Sequence, residues 1–269
     1  MTDFKLLAPA LVLSALLTAC SARYDDAVVL QRQGRLAEAA EKYKAFALNN
    51  PAAPDAPRAL MAAAEIYSLQ LGLCLESKPL LERLARDYPS FRMPEDVFRS
   101  IFVCPDYFPA GPGMKWVYGD SDTKGQNARE VVAVAVHSSQ GSGVTSSFYA
   151  GTELVSGIKK TYRFAGMNFV EREAGLDTLI LNYPLETGKT WASTGQEGRL
   201  KFLVEKTGLT VKVKAGEFTD CIKVRRRAEG GSSWVYNYYA PWKGKILTSV
   251  AGPGFENRVM ELLSYEEKK

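Results

Sequence analysis

A single histidine sets the first limit on the chemistry open to this 269-residue chain. A serine–histidine–aspartate relay would have to use His137. Its neighbours Ser138 and Ser139 lie at the end of an alternating apolar run, without the strand–turn–helix pattern that exposes a nucleophile. His137 therefore reads as a strand residue and not as a general base. Glu171 and Glu173 alternate along one segment, but that spacing alone does not make the carboxylate pair of a glycosidase. Lys223, Arg225 and Arg227 fall on one side of a predicted strand and Arg226 on the other. That row is either a patch for phosphate, lipid headgroups or an acidic partner, or a solvated sheet face with Glu171 and Glu173 as its counter-charges. Gly111-Pro112-Gly113 and Gly141-Ser142-Gly143 read as flexible loops, and neither opens a helix after a strand as a phosphate cradle must. The four cysteines, Cys20, Cys74, Cys104 and Cys221, contain no CxxC pair and no cysteine–histidine cluster for zinc. The expectation is a protein without a catalytic centre, metal or cofactor.

The one residue with clear chemistry is Cys20. Lys5 precedes the apolar run Leu6–Leu17, and Thr18 and Ala19 are small, which are the three parts of a secretory signal. The run is shorter than the roughly 20 residues of a membrane span. Leu17-Thr18-Ala19-Cys20 resembles the lipobox of bacterial lipoproteins. That resemblance implies diacylglycerol on the Cys20 thiol, removal of residues 1–19 and an acylated new N-terminus. Several acyl chains anchor firmly, since each buried CH₂ contributes about 0.8 kcal/mol. In Gram-negative lipoproteins an aspartate after the cysteine retains the protein at the inner membrane. Ser21 therefore points to the outer membrane for a host of that kind.

An exported chain meets an oxidising compartment, where disulfides persist. Cys74 and Cys104 lie in one helical region and are the candidate bridge, provided their α-carbons come within about 7 Å. Cys221 is then a buried free thiol. The 34 basic and 30 acidic residues are interspersed, which argues against a nucleic-acid partner.

The elements that position these residues fall into two regions: a helical part over 20–104 and a β part over 105–269. In the first, Leu36, Ala39, Ala40, Tyr43, Phe46 and Ala47 recur at helical spacing between Gly34 and Asn49-Asn50-Pro51. Asp55 is the expected cap of a helix carrying Leu60, Ala63, Ala64, Tyr67 and Leu71 to Gly72. Ser77 and Pro79 are expected to open another, with Leu80, Leu81, Leu84 and Tyr88, ending at Pro89; Met93–Phe102 predicts a short further helix. Gly34, Ala39, Tyr43, Phe46 and Pro51 resemble a tetratricopeptide repeat, with a looser second copy at Gly72, Leu81, Leu84 and Pro89, where Ser77 replaces the usual alanine. The resemblance covers under a third of the chain. It implies a protein-binding groove, with Tyr43 and Tyr67 as candidate partner-binding residues; a helical bundle that only packs is the alternative.

Beyond the hinge from Cys104 to Gly113 the apolar period switches to two. Strands are predicted over Lys115–Gly119, Arg129–Ser138, Ser146–Ala150, Lys159–Phe164, Phe169–Glu173 and Thr178–Asn182. Further strands are Leu200–Lys206, Thr210–Lys214, Cys221–Arg227, Trp234–Tyr239, Lys245–Ser249 and Val259–Tyr265. Many strands with short turns predict an antiparallel sheet that curls or closes into a barrel, and the whole chain is of α+β class. This half resembles an uncharacterised family of β-rich bacterial envelope domains. The likeness rests on Tyr183–Trp191, Ala215–Cys221 and Tyr238–Gly244, with Tyr107–Trp116 as a weaker copy of the first. Trp191, Phe218, Trp234 and Tyr238 read as core and rim aromatics. Two functions follow: a lipid-anchored adaptor or accessory factor with an envelope protein partner, or a carrier holding lipid or another apolar ligand in the β domain.

Overall fold

The computed structural model describes residues 23–94, 103–138 and 141–267. The leader, Cys20 and all but the first two residues of the short helix expected over Met93–Phe102 lie outside them. The chain forms two compact units: one runs through Leu71 and resumes at Glu76–Phe91, and the other holds Gly72–Leu75 and everything from Arg92 onward.

The first unit is helical. Helix α1 (Tyr24–Arg32) ends before Gly34, whose φ of +73° breaks it. Helix α2 (Leu36–Asn49) stops where the Asn50 side-chain amide donates to the Phe46 carbonyl. Helix α3 (Ala56–Glu65) continues as a π-helical turn, Ile66–Gln70, in which the Leu71 N–H reaches back to the Ile66 carbonyl. Asp55 makes no side-chain cap and instead pairs with Arg58 at 3.4 Å, because its backbone is already near-helical. Helix α4 (Cys74–Asp87) starts at Cys74, which places Pro79 inside its second turn instead of at its start. Ala27, Ala39, Ala40, Ala59, Ala63 and Ala64 are all fully buried, so small residues let the helices approach closely.

The second unit carries a twelve-stranded antiparallel sheet. Its strands are β1 (Lys115–Asp120), β2 (Ala128–Ser138), β3 (Gly141–Ala150), β4 (Glu153–Ala165), β5 (Asn168–Glu173) and β6 (Leu176–Asn182). They continue as β7 (Thr190–Gly195), β8 (Gly198–Val213), β9 (Gly216–Ala228), β10 (Trp234–Ala240), β11 (Gly244–Gly252) and β12 (Phe255–Glu266). Spatial order is β6-β5-β4-β3-β2-β1-β12-β11-β10-β9-β8-β7, so two six-stranded meanders join where the first strand pairs the last. The free edges β6 and β7 meet through side chains. The Leu179 N–H donates to Ser193 Oγ at 2.8 Å, Thr178 Oγ1 to the Thr194 carbonyl at 3.1 Å, and the Trp191 indole to the Leu179 carbonyl at 3.1 Å. The sheet is thus curled into a nearly closed barrel, which leaves little edge exposed.

The likeness between Tyr107–Trp116 and Tyr183–Trp191 has a structural counterpart. In the first, Gly113 donates to the Val134 carbonyl, Val134 to Met114, and Met114 to Gly111. In the second, Gly188 donates to the Val204 carbonyl, Val204 to Lys189, and Lys189 to Glu186. Gly113 and Gly188 have φ of +82° and +88°, and each turn launches a tryptophan-bearing first strand of its meander.

Three local expectations need correction. Gly141-Ser142-Gly143 is the start of β3, paired with Val136, His137 and Ser138, and is not a loop. A Cβ on Gly141 would lie 2.4 Å from the Tyr162 carbonyl, so glycine there permits the close approach of β4. The two strands predicted over Leu200–Lys206 and Thr210–Lys214 are one strand, β8, whose register shifts at Val204, Lys206 and Leu209 carry it past Gly208. Strand β7 was not predicted at all.

Candidate functional site

Two features of the second unit could act on a ligand: its interior, and the basic row on β9. The interior is built first by the segment that leads into β1. Val103, Tyr107, Phe108 and Met114 are all under a tenth exposed and belong to the core of the curled sheet. The Tyr107 hydroxyl donates to the Asp220 carbonyl, Ser142 Oγ to Ala110, and the Trp242 N–H to Asp106. The segment thereby ties β3, the β8–β9 hairpin and the β10–β11 turn together.

Asp106 is the partly buried centre of this arrangement. One carboxylate oxygen accepts the Phe108 N–H at 2.7 Å, the Tyr183 hydroxyl donates to the same carboxylate, and that hydroxyl accepts the Tyr107 N–H at 2.9 Å. Burial pushes the carboxyl up from 3.8 to about 6, against both hydrogen bonds. A carboxyl raised on folding binds protons more readily in the native state, so its contribution falls as pH rises from about 4 to about 6. The full change is up to about 3 kcal/mol. Urea midpoints for the protein and for Asp106→Asn between pH 4 and pH 7 test this: the variant should gain on the native protein as pH rises. A difference that stays flat across that window would remove Asp106 as its source.

Inside the sheet lies a cavity of about 280 Å³, lined by residues of β1, β2, β4–β6 and β8–β11 together with Phe108. Its charged residues are Glu130, Lys160, Glu171, Arg226 and Lys245, three cations against two carboxylates. Lys160 pairs with Glu171 at 3.2 Å and Glu173 at 2.9 Å, and the Tyr162 hydroxyl donates to Glu171 at 3.1 Å. Burial opposes the charge on Lys160, but the two glutamates outweigh it and hold its pKa above the usual lysine value. Glu130 accepts from Ser146 Oγ at 3.0 Å. Arg226 reaches Glu197 at 3.0 Å, and the Lys245 ammonium lies 5.0 Å over the Tyr118 ring. Burial raises the phenol pKa values of Tyr118, Tyr162 and Tyr239 above the ordinary range, so all three stay protonated at neutral pH.

The basic row is arranged differently from expectation. Glu171 and Glu173 pair with Lys160 and not with Lys223, Arg225 or Arg227, because β5 is hydrogen-bonded to β4 and lies far from β9 in the sheet order. Lys223 sits 3.7 Å over the Tyr236 ring and 2.6 Å from Glu256. Arg225 and Arg227 flank the Trp234 ring at 5.9 and 5.8 Å, and Arg227 also donates to the Gly231 carbonyl. Arg225, Arg227 and Lys201 border a second recess of about 500 Å³. The row is held on aromatic faces by cation–π contacts.

Of the other singled-out residues, Cys74 and Cys104 are joined in a disulfide with α-carbons 5.4 Å apart. Cys221 is a buried free thiol whose pKa burial pushes up to about 11. Tyr43 and Tyr67 are 2% and 3% exposed, their hydroxyls bonded to Gln31 and Glu41. They are core residues of the helical unit and present no surface to a partner. His137 lies in β2 opposite Ser142. Trp191 stacks on Phe202 at 5.2 Å, Phe218 packs near Tyr265 at 6.3 Å, and the Tyr238 hydroxyl bonds Glu256. Among the described residues no cluster of three metal-ligating side chains occurs.

Glu130, Lys160 and Lys245 escaped sequence reasoning, although one signal was present. Glu130 falls in phase with the buried Val132 and Val134, and a charge on the buried phase of a strand is the mark of a polar interior.

No protein-family model matches the chain, and no curated protein matches it. Two solved structures resemble it, each over 60% of this chain and 98% of their own. One, from Bacteroides fragilis, is described as an exported protein with a YmcC-like fold (16% identity, TM-score 0.41); the other, from Parabacteroides distasonis, as a lipoprotein (14%, 0.38). At these identities and TM-scores they bear on neither the activity nor the location of this chain.

Proposed function

We propose that this chain is a lipid-anchored envelope protein facing the periplasm, and that it works by binding and not by catalysis. The observation that carries the reading is the Cys74–Cys104 disulfide, since such a bridge persists in oxidising compartments and is rare in the cytosol. The leader that runs from Lys5 to Ala19 supplies the export route, and Cys20 the point of acylation. Ser21 favours the outer membrane. The finer role is that of an adaptor or accessory factor in outer-membrane assembly or maintenance. It is supported by closely packed, repeat-like helices that leave Val29, Leu48 and Leu69 between 37% and 50% exposed for a protein partner.

The expected fractionation result is sharp. Cys20→Ala should move the protein from the membrane pellet to the soluble fraction and abolish incorporation of labelled palmitate. Persistence of the variant in the pellet after a carbonate wash would end the anchor reading.

A carrier function is the second reading, favoured by the cavity within the sheet. Its charged and phenolic lining suits a polar cargo and opposes a lipid chain, which needs an apolar lining.

A further inference from the structure

We propose that the cavity of the β unit binds a compact organic anion, a ring-sized body bearing one phosphate or carboxylate, with Lys245 and Arg226 holding the acidic group. The charges lining the cavity do not cancel. Lys160 is committed to Glu171 and Glu173, while Glu130 accepts from the neutral Ser146 hydroxyl and keeps its own charge. Lys245 has no carboxylate within ion-pair distance among the described residues; its one contact of that kind is the Tyr118 ring. The carboxylate partner of Arg226 is Glu197, which is 55% exposed on the β7–β8 turn, where water weakens the pair.

These two cations belong to one wall, on the two strands that flank β10, and their partners on β10 are four residues apart. Lys245 on β11 is opposite Tyr239 on β10, and Arg226 on β9 is opposite Val235 on β10. Small barrels of this kind usually fill inward positions with apolar side chains, because a partly desolvated cation without a counter-charge is costly. Lys245 without a carboxylate, and Arg226 with only an exposed one, beside empty space are the arrangement expected of an anion site. The rings of Phe108, Tyr118, Tyr162 and Tyr239 also line the space and offer faces for a flat body. A cavity of about 280 Å³ admits on the order of ten non-hydrogen atoms, taking a water's share of roughly 30 Å³ as the measure.

Isothermal titration of the intact protein in non-ionic detergent with phenyl phosphate tests the assignment, with benzyl alcohol and inorganic phosphate as comparison probes. Phenyl phosphate should bind, benzyl alcohol should give no saturable heat, and inorganic phosphate should bind at least tenfold more weakly. Lys245→Met and Arg226→Met should each lower phenyl phosphate affinity at least tenfold. Lys245→Arg should stay within threefold of the native protein, and so should Lys201→Met in the other recess. Thermal melts establish that each variant is folded; if Arg226→Met is not, Lys245→Met and Lys245→Gln decide the matter. No heat with phenyl phosphate, equal binding of benzyl alcohol, equal binding of inorganic phosphate, or native affinity in Lys245→Met would each overturn the proposal.

Discussion

Replacing Trp116 by alanine is expected to cost about 3–5 kcal/mol of folding stability, the usual range for a fully buried aromatic. Trp116 is 0% exposed and is the largest of the fully buried side chains among the described residues. It sits on β1, opposite Val132 of β2 on one side and Tyr265 of β12 on the other, at the place where the first and last strands join. Its indole N–H donates to the Lys243 carbonyl at 2.6 Å, and its ring lies 5.6 Å from that of Phe108. Gly244, with φ of +93°, gives it room, since a Cβ there would stand 3.2 Å from the indole nitrogen. The alanine variant would therefore open a void and leave the Lys243 carbonyl without its donor. Trp116→Phe keeps most of the buried area and should lose only about 1–2 kcal/mol, chiefly the hydrogen bond. Urea unfolding with an unchanged slope is the measurement; a loss under about 1 kcal/mol in the alanine variant would mean the site collapses around the missing ring. Trp191, the matching residue of the second meander, is only partly buried, and its alanine variant should cost less.

How much of this was legible in the sequence depended on whether the deciding interaction was local. Most strands announced themselves by alternation; Leu209, Val211 and Val213 face inward while Thr210 and Lys212 are exposed. Strand β7 did not, because Thr190-Trp191-Ala192-Ser193-Thr194-Gly195 has few apolar residues. It is made a strand by pairing with β8 and by the side-chain seam to β6. The first residues of β3 failed for a related reason: Gly141 and Gly143 look like turn residues until β4 is known to need the space. Between the two strands predicted over Leu200–Lys206 and Thr210–Lys214, Gly208 does take a positive φ of +68°, but register shifts absorb it within one strand.

The candidate sites divide the same way. Helical periodicity placed Tyr43 and Tyr67 on apolar faces, and an apolar face is by default the core; nothing in the period distinguishes it from a groove. The pairing of Lys160 with Glu171 and Glu173 follows from the β4–β5 ladder, in which Lys160 faces Glu173 and Tyr162 faces Glu171. That ladder is a near-neighbour hairpin, so the pairing was within reach of sequence reasoning. The meeting of Arg226 and Lys245 with Glu130 in one cavity was not, because it requires the sheet to curl until strands from both meanders face each other.

Opening the Cys74–Cys104 bridge is expected to cost roughly 3–4 kcal/mol, the chain-entropy value for a closed loop of this size. The two cysteines are 30 residues apart, and the bridge restricts the unfolded chain over that whole stretch. Reductant and the double change Cys74→Ser with Cys104→Ser should shift the urea midpoint equally. The remaining described thiol, Cys221, is buried with its pKa pushed up to about 11 and has no disulfide for a reductant to attack. The loss should appear in the transition of the second unit, to which both Gly72–Leu75 and Cys104 belong. Gly72 comes close to Trp242 there, a Cβ on it falling 3.4 Å from the indole nitrogen, so a ring packs beside the stretch that the bridge ties down. Unfolding free energies that agree within about 0.5 kcal/mol with and without reductant would show that native contacts already fix this stretch. In that case the bridge would mark the compartment without adding stability to the fold.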